Sequence, residues 1–182
     1  MKINLEDDSM AILERYEEIN NVVQKRPITG CIPWAIEWMI RYKGVVANDW
    51  KIPESQLGVF QYKYDLESLH IGTNSFQSIK TAIEHDYHTI RLEQISYQTT
   101  EGQQKFQHIE RLLQGGTPCI MPIKLSPQVP THVMPIVEVN TNYIRVIWSI
   151  VNNNQEIHSF PINRLVMLHS QGLSGNNILF LQ

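Results

Sequence analysis

Residues 29–44 constrain the fold of this chain more than any other stretch. Pro33 suits the first turn of a helix, where a missing N–H is not needed, and Gly44 suits a helix C-terminus. The charged residues between these two positions are only Glu37, Arg41 and Lys43. A helix with so few charges is mostly buried, so we expect a central helix over residues 31–43 that begins at Cys31.

Cys31 is the first candidate for a reactive group. The unpaired N–H groups and the dipole at a helix N-terminus lower the pKa of a thiol, and a thiolate nucleophile is expected at such a position. The alternative is a structural cysteine, because free cysteine often packs as a small hydrophobic residue. Cys119 lies among apolar residues of a predicted strand, and we expect it to belong to the core.

The length and composition indicate one globular domain over residues 1–182, with residues 1–24 as an N-terminal helical extension. Hydrophobic residues make up 42% of the chain and charged residues 18%, which is typical of a folded protein rather than a disordered one. The net charge of -3 argues against a nucleic-acid-binding protein that relies on a broad basic face.

Two cysteines form neither a disulfide framework nor a zinc pattern. His85, Asp86 and His88 span a predicted helix end and the next strand, where their side chains need not converge on a metal. We therefore expect no metal and no cofactor. The N-terminus lacks the features of a signal peptide, and no apolar run has the length of a membrane helix. These features predict a cytoplasmic protein without a membrane span.

The hydrophobic pattern predicts an α+β fold, in which N-terminal helices pack on a C-terminal, mainly antiparallel sheet. Helices are predicted over residues 9–24 and 31–43, after Ser75, and over residues 100–114 and 161–169. Strands are predicted over residues 88–95, 117–125, 132–139, 143–150, 156–160 and 178–181. Residues 45–72 carry only one strand signal, at residues 57–60.

His132 opens a strand that is otherwise almost wholly apolar, directly after a polar loop that is kinked by a proline. This position places the imidazole at the edge of the predicted sheet, where it can accept a proton from a thiol if the fold brings the two together. A solvated loop histidine is the alternative. Cys31 early in the chain and His132 late in it form the arrangement expected of a thiol enzyme, whose partners are close in space rather than in sequence.

Three patches resemble the papain-like cysteine peptidases of the bacteriocin-processing type, the double-glycine leader peptidases and their free-standing relatives. Residues 30–44 resemble the cysteine helix of this family, which begins with Cys, carries a Pro shortly afterwards and ends in an aromatic residue followed by Gly. Residues 112–123, which contain Gly116 and Pro118, resemble the unit of helix, Gly-x-Pro and strand before the family's histidine. Residues 131–139 resemble its histidine strand.

The resemblance implies a papain-like fold with Cys31 as the nucleophile and His132 as the general base. It also implies an oxyanion-binding glutamine before the cysteine, for which Gln24 is the candidate, one residue further away than in the family pattern. The family places an Asp or Asn after the strand that follows the histidine strand. No acid occurs there, so Asn152 is the preferred group to orient the imidazole and Ser149 is the alternative. A turn also explains Asn152.

These residues predict a papain-like thiol hydrolase, a cysteine peptidase that acts on a peptide or protein substrate. An acyltransferase could use the same Cys–His pair. The missing acid favours a different class, a weak or inactive papain-like fold that binds a peptide or protein. A globular protein with an incidental Cys31 and His132 is a third alternative. The sequence leaves the substrate, the cleavage specificity and the oligomeric state open.

Overall fold

A computed structural model describes residues 10–27, 29–47, 49–50, 52–70, 76–149, 154–173 and 175–182. Within these ranges the chain forms six α-helices, one 3₁₀-helix at Tyr16–Glu18 and seven β-strands. The helices are α1 (Cys31–Val46), α2 (Glu54–Leu57), α3 (Phe60–Lys63), α4 (Phe76–Asp86), α5 (Gly102–Gln114) and α6 (Ile162–Ser170). The strands are β1 (Ala11–Ile12), β2 (Leu92–Ser96), β3 (Cys119–Ile123), β4 (His132–Val139), β5 (Tyr143–Trp148), β6 (Glu156–Pro161) and β7 (Asn177–Leu181).

The strands form one sheet in the order β2-β7-β3-β4-β5-β6, with β1 paired to the C-terminal end of β4. Every pairing among the described strands is antiparallel, so the predicted α+β class with a mainly antiparallel sheet is confirmed. Seven of the eight residues of β4 are buried. Because side chains alternate between the two faces of a sheet, such a strand needs cover on both sides, and α1 and α5 both pack against it.

Helix α1 is the central helix that the sequence predicts. Every residue from Cys31 to Ile40 is buried, and an aromatic side chain buried in this way contributes on the order of 2–3 kcal/mol. Pro33 occupies the third helical position, whose nitrogen has no partner within a helix in any case. The helix runs three residues beyond the predicted end at residue 43, so Gly44 lies inside the last turn and does not terminate it.

The predicted helix over residues 9–24 is wrong. This segment contains strand β1, the 3₁₀-helix and irregular backbone, and Arg15 has a φ of 61°, which ends any α-helix. The predicted burial is correct only in part, because Leu13, Tyr16 and Ile19 face the core whereas Ile12 is exposed. The reason for the extended backbone is that β3 pairs only with the first part of β4. The rest of this edge of β4 is free of β3 and pairs with β1 instead. Just beyond β1, the carbonyl oxygen of Val137 accepts the N–H of Leu13 at 2.9 Å.

The short strand predicted at residues 57–60 is also wrong, because these residues belong to the single-turn helices α2 and α3 and the turn between them. The helices after residue 75 and the strands after residue 88 occur where the sequence pattern predicts them, with ends shifted by a few residues. The N-caps predicted at Ser9 and Ser75 lie outside the described residues. In the described ranges, no helix has the length and apolar character needed to cross a membrane.

Candidate functional site

Packing of α1 against β4 brings Cys31 and His132 to the same end of one interface. Cys31 is the first residue of α1, and the backbone of Val133, the residue after His132, hydrogen-bonds its thiol. One turn further along α1, the indole of Trp34 stacks on the imidazole of His132, with ring centroids 5.8 Å apart and planes 13° apart. The two candidate residues are therefore neighbours across the helix–sheet contact.

Among the described residues, no hydrogen bond joins the thiol of Cys31 to the imidazole of His132. The Nε2 atom of His132 is buried and has no hydrogen-bond partner in the described part of the chain. The two groups are thus close but not engaged, which is common in thiol sites without a bound substrate.

Burial sets the charge of the thiol. Hydrogen bonds from the backbones of Val133, Cys31 and Ile32 lower the pKa of the Cys31 thiol, as expected at a helix N-terminus. Only 3% of the residue is exposed, however, and desolvation of the thiolate raises the pKa by more than these bonds lower it. The net shift is therefore upward, opposite to the lowered pKa expected at a helix N-terminus, and it favours a neutral resting thiol.

Burial also keeps the His132 imidazole neutral. Desolvation lowers its pKa from 6.5 to about 4, and a hydrogen bond to the backbone of Ser149 opposes this shift only in part. A backbone group that raises the pKa of an imidazole is a carbonyl acceptor, so one ring nitrogen donates a proton there. With that nitrogen protonated, the other presents a lone pair, and Nε2 is the one without a partner.

Gln24 lies near the turn that precedes Cys31, but its side-chain NH₂ group already donates one hydrogen bond within that segment. Its Nε2 donates to the carbonyl oxygen of Arg26 at 2.6 Å, and its buried Oε1 has no partner in the described ranges. The same Arg26 oxygen is only 2.5 Å from where a Cβ would stand on Gly30. The carbonyl therefore packs directly on the residue before Cys31, and any side chain at position 30 would displace it.

Ser149 connects two of the predicted site residues. Its Oγ accepts the backbone N–H of Gln24 at 3.1 Å, and its backbone bonds to the His132 imidazole. The imidazole thus contacts the backbone of this residue, whereas the hydroxyl serves the Gln24 segment. Asn152 lies outside the described residues, so its proposed orienting role stays a prediction.

A buried polar network, which the sequence patterns did not reveal, holds the Gln24 segment against α1. Glu37 accepts from Gln61 Nε2 at 2.6 Å and from Arg41 at 3.3 Å. Gln61 also donates to the carbonyl of Val23 at 2.9 Å and accepts the N–H of Lys25 at 3.0 Å. Burial raises the pKa of Glu37. The available signal was a single acidic residue within an otherwise buried helix, which requires a polar partner.

The remaining candidates from the sequence lie apart from this site. Cys119 is fully buried, as predicted, and burial raises the pKa of its thiol. Within the described residues, no group of three His, Cys, Asp or Glu side chains is placed to hold a metal ion, and His85 bonds to Asp86 at 3.1 Å. Trp50 lines a cavity of about 530 Å³ beside the C-terminal half of α1, away from Cys31.

Comparison of the chain with protein-family models gives no match, and comparison with curated proteins gives none either. The site must therefore be judged from its own geometry.

Proposed function

We propose that this protein is a papain-like thiol hydrolase, a cysteine peptidase that cleaves amide bonds of a peptide or protein. The observation that carries the proposal is the position of Cys31 at the N-terminus of a buried helix, beside a histidine whose Nε2 has no partner in the described part of the chain. The order of elements, with the cysteine helix before six of the seven described strands and the histidine at the start of a central strand, supports the same proposal.

The two neutral groups favour general-base catalysis over a preformed ion pair. As Sγ of Cys31 attacks the substrate carbonyl carbon, Nε2 of His132 takes the thiol proton. The carbonyl π-electrons move to the oxygen, and we expect the N–H groups at the start of α1 to stabilise that oxyanion. The imidazolium then protonates the leaving amine, and a thioester on Cys31 remains. Water, deprotonated by the same nitrogen, hydrolyses the thioester and restores the thiol.

Gln24 can assist this step with one of its two amide protons. Its Nε2 donates one proton to the Arg26 carbonyl, and the same NH₂ group carries a second proton that can donate to an oxyanion. A developing negative charge is a stronger acceptor than a neutral carbonyl, so this contact would strengthen in the transition state. Asn152 can keep its proposed orienting role only if its side chain takes over the bond that the Ser149 backbone makes to the imidazole.

A peptide-binding module without catalysis is the second candidate. It is favoured by the buried, neutral thiol and by the missing hydrogen bond between Cys31 and His132 among the described residues. An acyltransferase would use the same chemistry up to the thioester and would then transfer the acyl group to an amine instead of water.

Incubation with a mixed peptide library, read by mass spectrometry, tests these alternatives. We expect cleaved peptides with the wild type and with Cys119→Ser, and none with Cys31→Ser. Peptides that are retained intact would instead support the binding module, and acylated amine acceptors would support the transferase. Cleavage that survives Cys31→Ser would overturn the thiol mechanism.

A further inference from the structure

Four aromatic rings form a row that begins on α1 and crosses the sheet through β4, β5 and β6. Trp34 stacks on His132, as described above. His132 contacts Trp148 with ring centroids 4.7 Å apart and planes 49° apart. Trp148 in turn stacks on His158 at 5.0 Å and 18°. We call these four side chains the ring row.

In the described part of the chain, the ring row places aromatic rings and no carboxylate next to His132. The shift in the pKa of His132 arises from burial and from the Ser149 backbone, with no acidic side chain among its causes. The carboxylate attached to the row is that of Glu156, whose Oε2 accepts from Nε2 of His158 at 3.0 Å, and the Trp148 ring separates it from His132.

An imidazole that acts as a base must be held in one orientation and one tautomer. A carboxylate does both through a single hydrogen bond. In this protein the two tasks are divided, because the Ser149 backbone can fix the tautomer while a stacked contact with Trp34 and a tilted contact with Trp148 fix the plane of the imidazole.

We propose that Trp34 and Trp148 are positioning residues for His132, which clamp its imidazole between helix and sheet and so replace an orienting acid. The proposal rests on the proposed function only in taking His132 as the catalytic base; the ring contacts themselves do not depend on it. Each contact of this kind shifts the balance between ring orientations by about 2- to 10-fold, so the two together favour one orientation strongly.

Trp148 offers the cleaner test, because it is only partly buried, whereas Trp34 is fully buried and donates to the carbonyl of Val22. Trp148→Leu removes the ring, Trp148→Phe keeps a ring, and His158→Ala removes only the support behind it. Trp50→Leu is the matched control, because Trp50 is also partly buried but lines the cavity beside the other end of α1.

The measurement is ¹⁵N NMR of His132, assigned by its loss in His132→Gln, with the tautomer and the pKa as readouts. The wild type should show one dominant tautomer. Trp148→Leu should mix the tautomers and move the pKa of His132 toward 6.5, while His158→Ala should give a smaller shift. Trp148→Phe and Trp50→Leu should match the wild type.

An unchanged His132 spectrum in folded Trp148→Leu or His158→Ala would overturn the proposal, as would an equal change in Trp50→Leu. If Trp148→Leu does not fold, the other two variants decide: a shifted His132 pKa in His158→Ala but not in Trp148→Phe supports the proposal, and equal spectra overturn it. The NMR result needs no substrate, so it is separate from a failure of the proposed function. With a cleaved peptide in hand, kcat should fall about 10-fold in Trp148→Leu with KM unchanged, because the ring orients the base.

Discussion

Two histidines, the half-buried His132 and the buried His169, make opposite uses of their ring nitrogens. Burial lowers the pKa of both imidazoles. His169 uses both ring nitrogens, with Nδ1 2.9 Å from Nζ of Lys105 and Nε2 2.6 Å from the oxygen of Gln98. In the described part of the chain, His132 leaves Nε2 without a partner. A shifted pKa therefore does not mark a site by itself, and an unused lone pair beside a nucleophile is the better sign.

Lys105 explains why the second region is structural. It is fully buried on α5, burial lowers its pKa to about 8, and it donates to His169 on α6 and to the carbonyl of Gly175 at 3.3 Å. Because Nε2 of His169 donates to Gln98, its Nδ1 must be the acceptor of the lysine proton. These bonds tie α5, α6 and the segment before β7 together, and they leave no acceptor for a substrate proton.

The largest difference between the two histidines should appear in turnover. His132→Gln should lower cleavage of a library-derived peptide by about 10²- to 10⁴-fold, because the general base is lost. His169→Gln should leave turnover of the folded protein within about 2-fold and lower the free energy of unfolding by about 2 kcal/mol, because a buried lysine loses its acceptor. Urea unfolding checks the second value, and equal losses of turnover would contradict the distinction.

The pH dependence of stability should separate the two regions next. The folded pKa of His132 is about 4 against 6.5 unfolded, so its stabilisation is present above pH 6.5 and is lost as pH falls to 4. The folded pKa of Lys105 is about 8 against 10.5, so its stabilisation is present above pH 10.5 and is lost as pH falls to 8. Across each of these two pH ranges, the free energy of unfolding should change by on the order of 3 kcal/mol.

Urea midpoints from pH 4 to 10.5 measure these windows. The difference in urea midpoint between the wild type and His132→Gln should change with pH between pH 4 and 6.5. The difference between the wild type and Lys105→Met should change between pH 8 and 10.5. If the two pH ranges overlap, His132 and Lys105 titrate together, which would contradict the distinction between the two regions.

The thiol offers a smaller and sharper test of the resting state. In a Cys119→Ala background, alkylation of Cys31 should rise by about 10-fold per pH unit between pH 6 and 8, because the reagent follows a small thiolate fraction. His132→Gln should change the rate by no more than about 2-fold, because no hydrogen bond joins the two side chains. A rate plateau below pH 7 that disappears in His132→Gln would reveal a preformed ion pair and remove the general-base scheme.

Ser149→Ala should have the smallest effect. The free energy of unfolding should fall by about 1 kcal/mol, because the backbone N–H of Gln24 loses its acceptor. Turnover should stay within about 3-fold, because the imidazole bonds to the backbone of this residue. A 100-fold loss of turnover with an unchanged unfolding midpoint would assign the orienting role to the hydroxyl.

The features that sequence predicted are those with a local signal. Helix α1 follows from Pro33 near its start and from its apolar run, and β4 and β5 follow from largely apolar stretches with a tight turn between them. The segment over residues 9–24 failed because its apolar spacing satisfies burial equally well in extended backbone, and only the free edge of β4 decides between them.

The chemistry of the site was harder to predict for a similar reason. The helix dipole at Cys31 is readable from sequence, but the desolvation that outweighs it depends on how β4 covers the thiol. Lys105 sits on an amphipathic helix where a lysine normally faces solvent, and its buried position requires partners about 65 to 70 residues away.

The hydrogen bond from Gln24 to Ser149 has a further consequence for the order of assembly, because it spans 125 positions of the chain. During synthesis the ribosome releases the N-terminal segment and α1 long before β4 and β5 emerge. Until then the Gln24 segment and the buried face of α1 have no sheet to pack on, and closing so long a loop is slow. The Cys31 site is therefore completed late in folding, so a nascent chain that stalls before β5 carries a thiol that is still uncovered.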